Sequence, residues 1–307
     1  MSSQSEKFTD WKGILIGLLI AIAFGLGGFF SLSNDKGAMG LVLFLLLPSA
    51  SGFAVAVVAK PGKIANVSII LGTIFCLSML LISGIEGLVC VVMASPLIAA
   101  GLALGALGGH LFRKHVIDKS KMPQVMKLLV LLIAPLLLMG AKAIEQPVIS
   151  SLRTETFVTR VIFKAKPEQV WDTIKSVEKI NAEKPLLLRI GLPVPERCEL
   201  EGEGVGSKRI CYFDVGHIEE RVTEWNPPTS MKMEVTEFQL PGSRWLGFKD
   251  ASYEMHQEGD NTVVTRETTI TSRLYPAWYW RPLEKFGVES EHDYLFNYVR
   301  TALNVNK

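Results

Sequence analysis

Glu196-Arg197-Cys198-Glu199-Leu200-Glu201, then Gly202-Glu203-Gly204-Val205-Gly206, then Ser207-Lys208-Arg209-Ile210-Cys211-Tyr212-Phe213: this stretch decides the fold of the second half of the chain. Two strand-like runs flank a glycine-rich turn and read as a hairpin. The glycines supply positive φ where the chain reverses. Their Gly-x-Gly-x-Gly spacing has the look of a phosphate loop, but it joins two strands and opens no helix, so the dinucleotide-binding context fails. With the turn centred between Gly204 and Val205, Cys198 and Cys211 face each other. Two states are open to them. One is a cross-strand disulfide, if the domain lies in an oxidising compartment. The other is a pair of buried thiols, slightly favoured because the bond demands narrow geometry.

Outward from this hairpin the same pattern repeats. Thr156–Lys164, His217–Trp225, Ser230–Phe238, Phe248–Gln257 and Thr262–Ser272 read as strands. Turn signals separate the later ones: Asp214-Val215-Gly216, Asn226-Pro227-Pro228, Pro241-Gly242-Ser243 and Glu258-Gly259-Asp260-Asn261. Pro167 opens a helix whose apolar stripe is Val170, Ile174, Val177 and Ile180. A last helix runs from about Ala277 to Asn304, with Leu283, Phe286, Tyr294, Tyr298 and Ala302 expected on its inner face and Pro282 expected to bend or delay its start. The order is strand, helix, six strands, long helix. An antiparallel sheet must bury one face, and the long helix is its natural cover. A curved sheet gripping a helix leaves a cavity between them, an expected ligand site. Arg209, Tyr212, Glu220, Tyr253, Arg266 and Thr268 lie on strands that would line it. A shift of one residue in register inverts each of those assignments.

Residues 1–150 are of another kind. They carry 11 Lys/Arg and 6 Asp/Glu, against 21 and 24 in residues 151–307. The mean hydropathy of +0.29 therefore averages two unlike halves. The split excludes a uniform soluble fold and a disordered chain. The mildly acidic charged half argues against a nucleic-acid partner. Apolar segments at 14–33, 38–59, 64–85, 87–112 and 125–144 approach the ~20 residues a spanning helix needs, the fifth being the least secure. The expected division is a membrane domain over 1–145, a linker over 146–154 with Gln146-Pro147 ending the last helix, and a ligand domain over 155–304. The first segment also has features of a signal peptide, with Ser31-Leu32-Ser33 as a weak cleavage site, although its apolar run is long for one.

Loop charges set orientation. With the N-terminus cytoplasmic, Lys7, Lys12, Lys60, Lys63, Arg113, Lys114, Lys119 and Lys121 all lie inside and Lys36 alone lies in an outer loop. Five spans then place the C-terminal domain outside the cytoplasm. If the fifth segment does not span, the domain is cytoplasmic. No buried charges mark an ion pathway. Gly13, Gly17, Ala21 and Gly25 recur every four residues, as do Gly101, Gly105 and Gly109. Such stripes bring helix backbones together. Packing within the chain is the expected use, and a homo-oligomer interface is the alternative.

The element order looks like the START-like helix-grip superfamily, also called SRPBCC. Gly204-Val205-Gly206-Ser207-Lys208-Arg209-Ile210-Cys211-Tyr212-Phe213 resembles the Gly-x-Gly-(Ser/Thr)-x-Arg-x-Cys strand of its polyketide cyclase/dehydrase-like branch. Glu220-Arg221-Val222-Thr223-Glu224-Trp225-Asn226-Pro227-Pro228 resembles the strand and turn that follow, and Trp278-Tyr279-Trp280-Arg281-Pro282-Leu283 opens a helix like that branch's last. The resemblance covers about 155–304. It implies an α+β fold, a curved antiparallel sheet on a C-terminal helix, appended to a multi-span helical membrane domain. It is weaker for function, since the superfamily hosts binders, carriers and cyclases. The leading expectation is a hydrophobic small molecule or lipid as partner. The alternatives are a cyclase- or hydratase-type enzyme using the same cavity and a membrane-anchored interaction module. No cofactor or catalytic set is indicated. The five histidines lack metal spacing such as H-E-x-x-H, and His292, between Glu291 and Asp293, is expected on a solvated helix face. Glu219 and Glu220 are adjacent on a strand and point to opposite faces.

Overall fold

The computed structural model describes residues 2–33, 39–59, 63–84, 86–117, 124–149 and 152–305. It divides into a helical unit and a sheet domain. Lys36, Lys60, Lys119 and Lys121 of the orientation argument, and Ser150 of the expected linker, lie outside the described residues.

In the helical unit, α1 (Ser2–Ile22) passes through a π-helical turn (Ala23–Gly27) into α2 (Gly28–Ser33). A second π-helical turn (Val42–Leu46) opens α3 (Leu47–Val58), followed by α4 (Lys63–Ile82), α5 (Leu88–Phe112) and α6 (Gln124–Ile149). Four stretches are long and apolar enough to cross a membrane: Gly13–Ser31, Lys63–Ile82, Leu88–Ile117 and Leu132–Ile149; Val42–Val58 is shorter. Val42–Val58 lies within the second expected segment, and Leu132–Ile149 overlaps the fifth. Helix α6 also runs through Pro147, which the sequence reading took as its end. Pro147 stands in the last turn, where its missing N–H breaks a single i→i−4 bond.

The glycine stripes pack helices of this unit against one another. A Cβ at Gly17 would fall 2.6 Å from Ser68 Oγ, and one at Gly25 2.7 Å from Cys76 Sγ, so α1 and its π turn lie directly on α4. On α5, Gly101 faces the carbonyl of Leu45 and Gly109 that of Phe53, at 2.5 and 2.7 Å from such a Cβ, and Gly105 sits against the backbone of Ser49. Close approach is what small residues give helices that have no hydrophobic drive to associate in lipid. Helix ends are satisfied from neighbouring helices. The Glu145 carboxylate accepts the Val42 N–H at 3.2 Å, and the Arg113 guanidinium donates to the carbonyls of Val57 and Ala59.

The sheet domain starts with β1 (Arg153–Phe163) and α7 (Pro167–Lys175), then the short α8 (Leu186–Arg189). There follow β2 (Pro195–Glu201), β3 (Lys208–Phe213), β4 (Gly216–Asn226), β5 (Ser230–Gln239), β6 (Leu246–Glu258) and β7 (Asn261–Ser272), and α9 (Ala277–Val305) closes the domain. All strands pair antiparallel in the order β1-β7-β6-β5-β4-β3-β2. The glycine-rich turn has φ of +91°, +110° and +92° at Gly202, Gly204 and Gly206, the region that favours glycine.

Helix α7 is shorter than its apolar stripe suggested. Val170 and Ile174 are buried on it, but Val177 has left the helix and pairs with Cys198 as an antiparallel bridge, its N–H 2.7 Å from the Cys198 carbonyl. The i, i+3, i+4 spacing continued by coincidence into an extended segment that also buries apolar side chains.

Helix α9 departs from its expected face for a different reason. Its start is not delayed by Pro282, and Phe286 is half exposed. The buried face keeps Tyr294 of the expected set and adds Val288, Leu295, Phe296 and Val299 together with Glu284 and His292. Glu284 receives Arg153 at 2.7 Å and the Ser272 hydroxyl at 2.6 Å. His292 lies between Thr159 on β1 and Thr268 on β7, each hydroxyl 2.8 Å from a ring nitrogen. The solvated-face expectation for His292 is therefore corrected: the ring is wholly buried. Buried polar groups must be bonded, and here those bonds fasten the helix to β1 and β7.

Candidate ligand cavity

A cavity of about 50 Å³ lies between the sheet and α9. Its apolar walls include Ile180, Ile218, Val235, Phe248 and Leu295. Seven polar residues converge on it: Arg209, Glu220, Asp250, Tyr253, Arg266, Thr268 and Glu291. The sheet geometry explains one side. Pairing of β5 with β6 ends at Glu234↔Asp250, and beyond it Val235 and Phe248 stand on diverging strands. Phe238 and Phe248 meet across that divergence with ring centroids 5.4 Å apart. The half-buried residues Phe213, Val235, Phe248 and Asp250 mark the accessible side; Arg209, Glu220, Tyr253 and Arg266 are buried.

Register decides which sequence candidates arrive there. Arg209 is opposite Glu220 on β4, and their side chains meet at 2.6 Å inside the cavity. Glu219, one residue away, is on the outer face with Lys208 at 2.8 Å, as alternation requires. Tyr253 and Arg266 are paired across β6 and β7, with the guanidinium 5.3 Å from the ring centroid. Arg266 also bonds Glu291 of α9 at 3.0 Å. Thr268 reaches the cavity beside its bond to His292.

Tyr212 is the correction. It alternates out of phase with Arg209 and Cys211, so it stands on the opposite face, where the Arg197 guanidinium lies 4.0 Å from its ring centroid. The reading missed Asp250 and Glu291. Asp250 follows a register shift at Phe248/Asp250 that sequence alternation does not reveal, and Glu291 sits in a charged run of helix that looks solvated. Cys198 and Cys211 are directly opposite and joined as a disulfide, so the favoured pair of thiols is corrected; the bond forms part of the cavity wall.

The electrostatics separate engaged from unengaged groups. The buried Glu220 and the partly buried Glu291 are each taken up by an arginine. Burial pushes the Tyr253 phenol up, against the lowering pull of Arg266 and Arg209, so it stays protonated. Burial likewise drives His292 down to about 2, with Arg266 adding to the effect, so the ring is neutral. On the side chains that line the cavity, three buried nitrogens have no hydrogen-bond partner among the described residues: Arg209 Nε, Arg266 Nε and Arg266 Nη1. On the outer face, His217, Glu219 and Glu237 bring ligand atoms within 4.8 Å of one another, a cross-strand cluster that linear spacing could not signal. Lys208 already neutralises Glu219 there.

Residues 154–293 match the family model described as polyketide cyclase/dehydrase and lipid transport. No curated protein matches the chain in sequence. Among solved structures, a START superfamily protein from Mycobacterium smegmatis is 10% identical, with 50% of this chain covering 99% of that one at a TM-score of 0.38. Norcoclaurine synthase from Thalictrum flavum, solved with dopamine and hydroxybenzaldehyde, is 13% identical over 52% of this chain and 91% of its own, with a TM-score of 0.37. Taken with the seven-stranded antiparallel sheet and its C-terminal helix, the family match makes residues 154–293 a START-like, polyketide cyclase-like domain.

Proposed function

We propose that the chain is a multi-pass membrane protein presenting a START-like domain that binds a hydrophobic small molecule or lipid. The observation that carries this reading is the cavity under α9, with apolar walls and a few convergent polar groups, the usual make-up of a small-molecule site. Its 50 Å³ holds the head of a ligand; a larger body has to widen the Phe238–Phe248 side. The family description, which includes lipid transport, supports the same class of ligand. Mass spectrometry of the full chain purified from native membranes, followed by a lipid-binding panel, tests it. A co-purifying apolar compound is expected. Absence of any such compound, together with no binding to the panel, overturns the reading.

The N-terminus is cytoplasmic in this reading and the domain lies outside the cytoplasm. The Lys/Arg bias of the loops supports the first part, and the Cys198–Cys211 disulfide, which belongs in an oxidising compartment, supports the second. Protease should digest the domain in intact cells and spare it in inverted vesicles; the reverse pattern rejects the orientation. The close partners of Gly17, Gly105 and Gly109 within the chain support intrachain packing over an oligomer interface.

A cyclase- or hydratase-type reaction is the second reading, favoured by one group. Tyr253 is protonated, buried and without a hydrogen-bond partner for its hydroxyl among the described residues. Tyr253→Phe should then abolish turnover while leaving binding within a few-fold.

A further inference from the structure

The tryptophans at the start of α9 are used in two ways. Trp280 is buried, and its indole N–H donates to the Tyr275 carbonyl at 3.1 Å. Trp278, two residues earlier, is 74% exposed, and Phe286 further along is 50% exposed. At about 100° per residue, Trp278, Arg281, Pro282, Lys285 and Phe286 share an arc of about 140° on the helix. All five are exposed. Between 278 and 286 that arc holds no acidic residue, and Glu284 lies off it, buried in its pair with Arg153. The core uses the other face of these turns, through Trp280, Glu284 and Val288. Aromatic rings set among Arg and Lys on a face that the core does not use are the make-up of a helix surface suited to a lipid interface.

The place of this face along the chain agrees with its make-up. Only Ser150 and Ser151 separate Ile149, the end of a stretch apolar enough to cross a membrane, from Leu152. Three peptide steps reach at most about 11 Å, so the start of β1 stays that close to the helix end whatever path the two serines take. Within the sheet domain, the starts of β1 and α9 are tied together. Arg153 donates to the Leu274 carbonyl at 3.2 Å, pairs with Glu284 at 2.7 Å and lies 5.6 Å from the centre of the Tyr275 ring. Those partners bracket Trp278 in sequence. An indole so placed favours the headgroup level, where its ring leaves water and its N–H still finds an acceptor. The two cations already hold carboxylates of the domain, Arg281 with Glu155 at 3.0 Å and Lys285 with Glu289 at 3.6 Å. The rings, and not an excess of charge, therefore select the occupant, which favours a bilayer interface over a polyanion.

We propose that the first turns of α9, from Trp278 to Phe286, are an interfacial anchor. Trp278 and Phe286 sit at the headgroup level of the bilayer that the chain's own helices span, and Arg281 and Lys285 reach past them to the phosphates. The inference rests on the multi-pass reading above and gives the domain a second attachment to the membrane besides its linker. Through Arg153 and Glu284 the two attachments are joined, so the domain is held in one orientation on the bilayer instead of swinging on a tether.

The test uses the full chain in phosphatidylcholine vesicles and reads Trp278 as the difference in fluorescence between wild type and Trp278→Phe. Brominated phosphatidylcholine should quench most of that difference, and bromines near the headgroups should quench it more strongly than bromines near the chain ends. Iodide on both sides of the membrane should leave it unquenched, and its emission should lie to the blue of an indole in water. If Trp278→Phe does not fold, Trp278→Tyr supplies the same subtraction. Quenching by iodide and not by brominated lipid overturns the anchor, because the ring then faces water. Quenching by neither also overturns it, because protein then covers the ring. Both of these outcomes leave the multi-pass reading standing while the chain stays with the vesicles at alkaline pH. Release of the chain at alkaline pH overturns that reading and the anchor with it.

Discussion

In the helical unit, Gly105 of α5 lies so close to the Ser49 backbone that no side chain fits between them. In the sheet domain, the corresponding tight places between helix and sheet hold polar groups: the ion pairs of Glu284 with Arg153 and Glu291 with Arg266, and the neutral His292 between two threonines. The difference follows from what each unit has to exclude. Apolar helices suited to lipid gain nothing from hiding apolar surface from lipid, so contact and backbone proximity must hold them together. A domain in water gains from burial, and its polar groups then serve to fix which face of the helix is buried. The first unit should therefore be sensitive to added volume and the second to an unpaired charge.

The largest effect is expected where a charge is left alone. Arg209→Met strands Glu220 in the cavity and should cost about 3–5 kcal/mol of domain stability. Arg209→Met combined with Glu220→Leu should recover most of that loss, because a buried pair replaced by apolar groups is often neutral. Urea unfolding of the full chain, followed by tryptophan fluorescence, measures both. A single substitution costing no more than the double one would remove the contrast between the two units.

The disulfide comes next. It joins residues 13 apart, and breaking a loop of that size costs about 3 kcal/mol. Reductant should lower the melting temperature of the wild-type domain and leave that of a Cys198→Ala/Cys211→Ala double variant unmoved. An equal response of the two would mean that the thiols are free in the protein as made.

His292 gives the domain a pH dependence. Its folded pKa of about 2 is below the ordinary 6.5 because burial, then Arg266, disfavours the charged ring. Below pH 6.5 the unfolded chain takes up a proton that the folded one refuses. Stability should then fall by about 1.4 kcal/mol per pH unit as pH drops, a slope that persists until the folded pKa is approached. His292→Gln can keep both threonine bonds without titrating, so its stability should lose this slope between pH 6.5 and 4.5. An identical slope in wild type and variant would place the ring in contact with solvent.

How far the sequence reaches also differs between the units. The succession of elements, the hairpin and the facing cysteines were legible because turn residues and alternation are local. The cavity was legible at Arg209, Glu220, Tyr253, Arg266 and Thr268, which keep step with that alternation, and lost at Tyr212, one position out of phase with Arg209 and Cys211. Asp250 was hidden by the bulge before it. Glu284, Glu291 and His292 were hidden because hydropathy assigns charged residues to solvent, and only the partner strands reveal that their charges and donors are matched. In the helical unit the glycine period was plain, but the partner of each stripe was not, since a repeat of four names a face and leaves its contact unspecified.

The smallest prediction tests the helical unit at single-residue resolution. Gly108 and Gly109 are neighbours on α5. A Cβ at Gly109 would lie 2.7 Å from the Phe53 carbonyl oxygen and 2.8 Å from Ala56 Cβ, whereas one at Gly108 would have only Phe53 Cδ2 near, at an ordinary 3.8 Å. Gly108→Ala should therefore stabilise by about 0.5–1 kcal/mol, the gain of removing a flexible glycine from a helix. Gly109→Ala gains the same term but must push α3 away, and overpacking of that kind costs about 1–3 kcal/mol, so the net sign reverses. Detergent unfolding of the two variants side by side reads the difference. Opposite signs one residue apart require a fixed helix–helix contact on one face of α5, while equal signs would mean that glycine serves there only as a poor helix former.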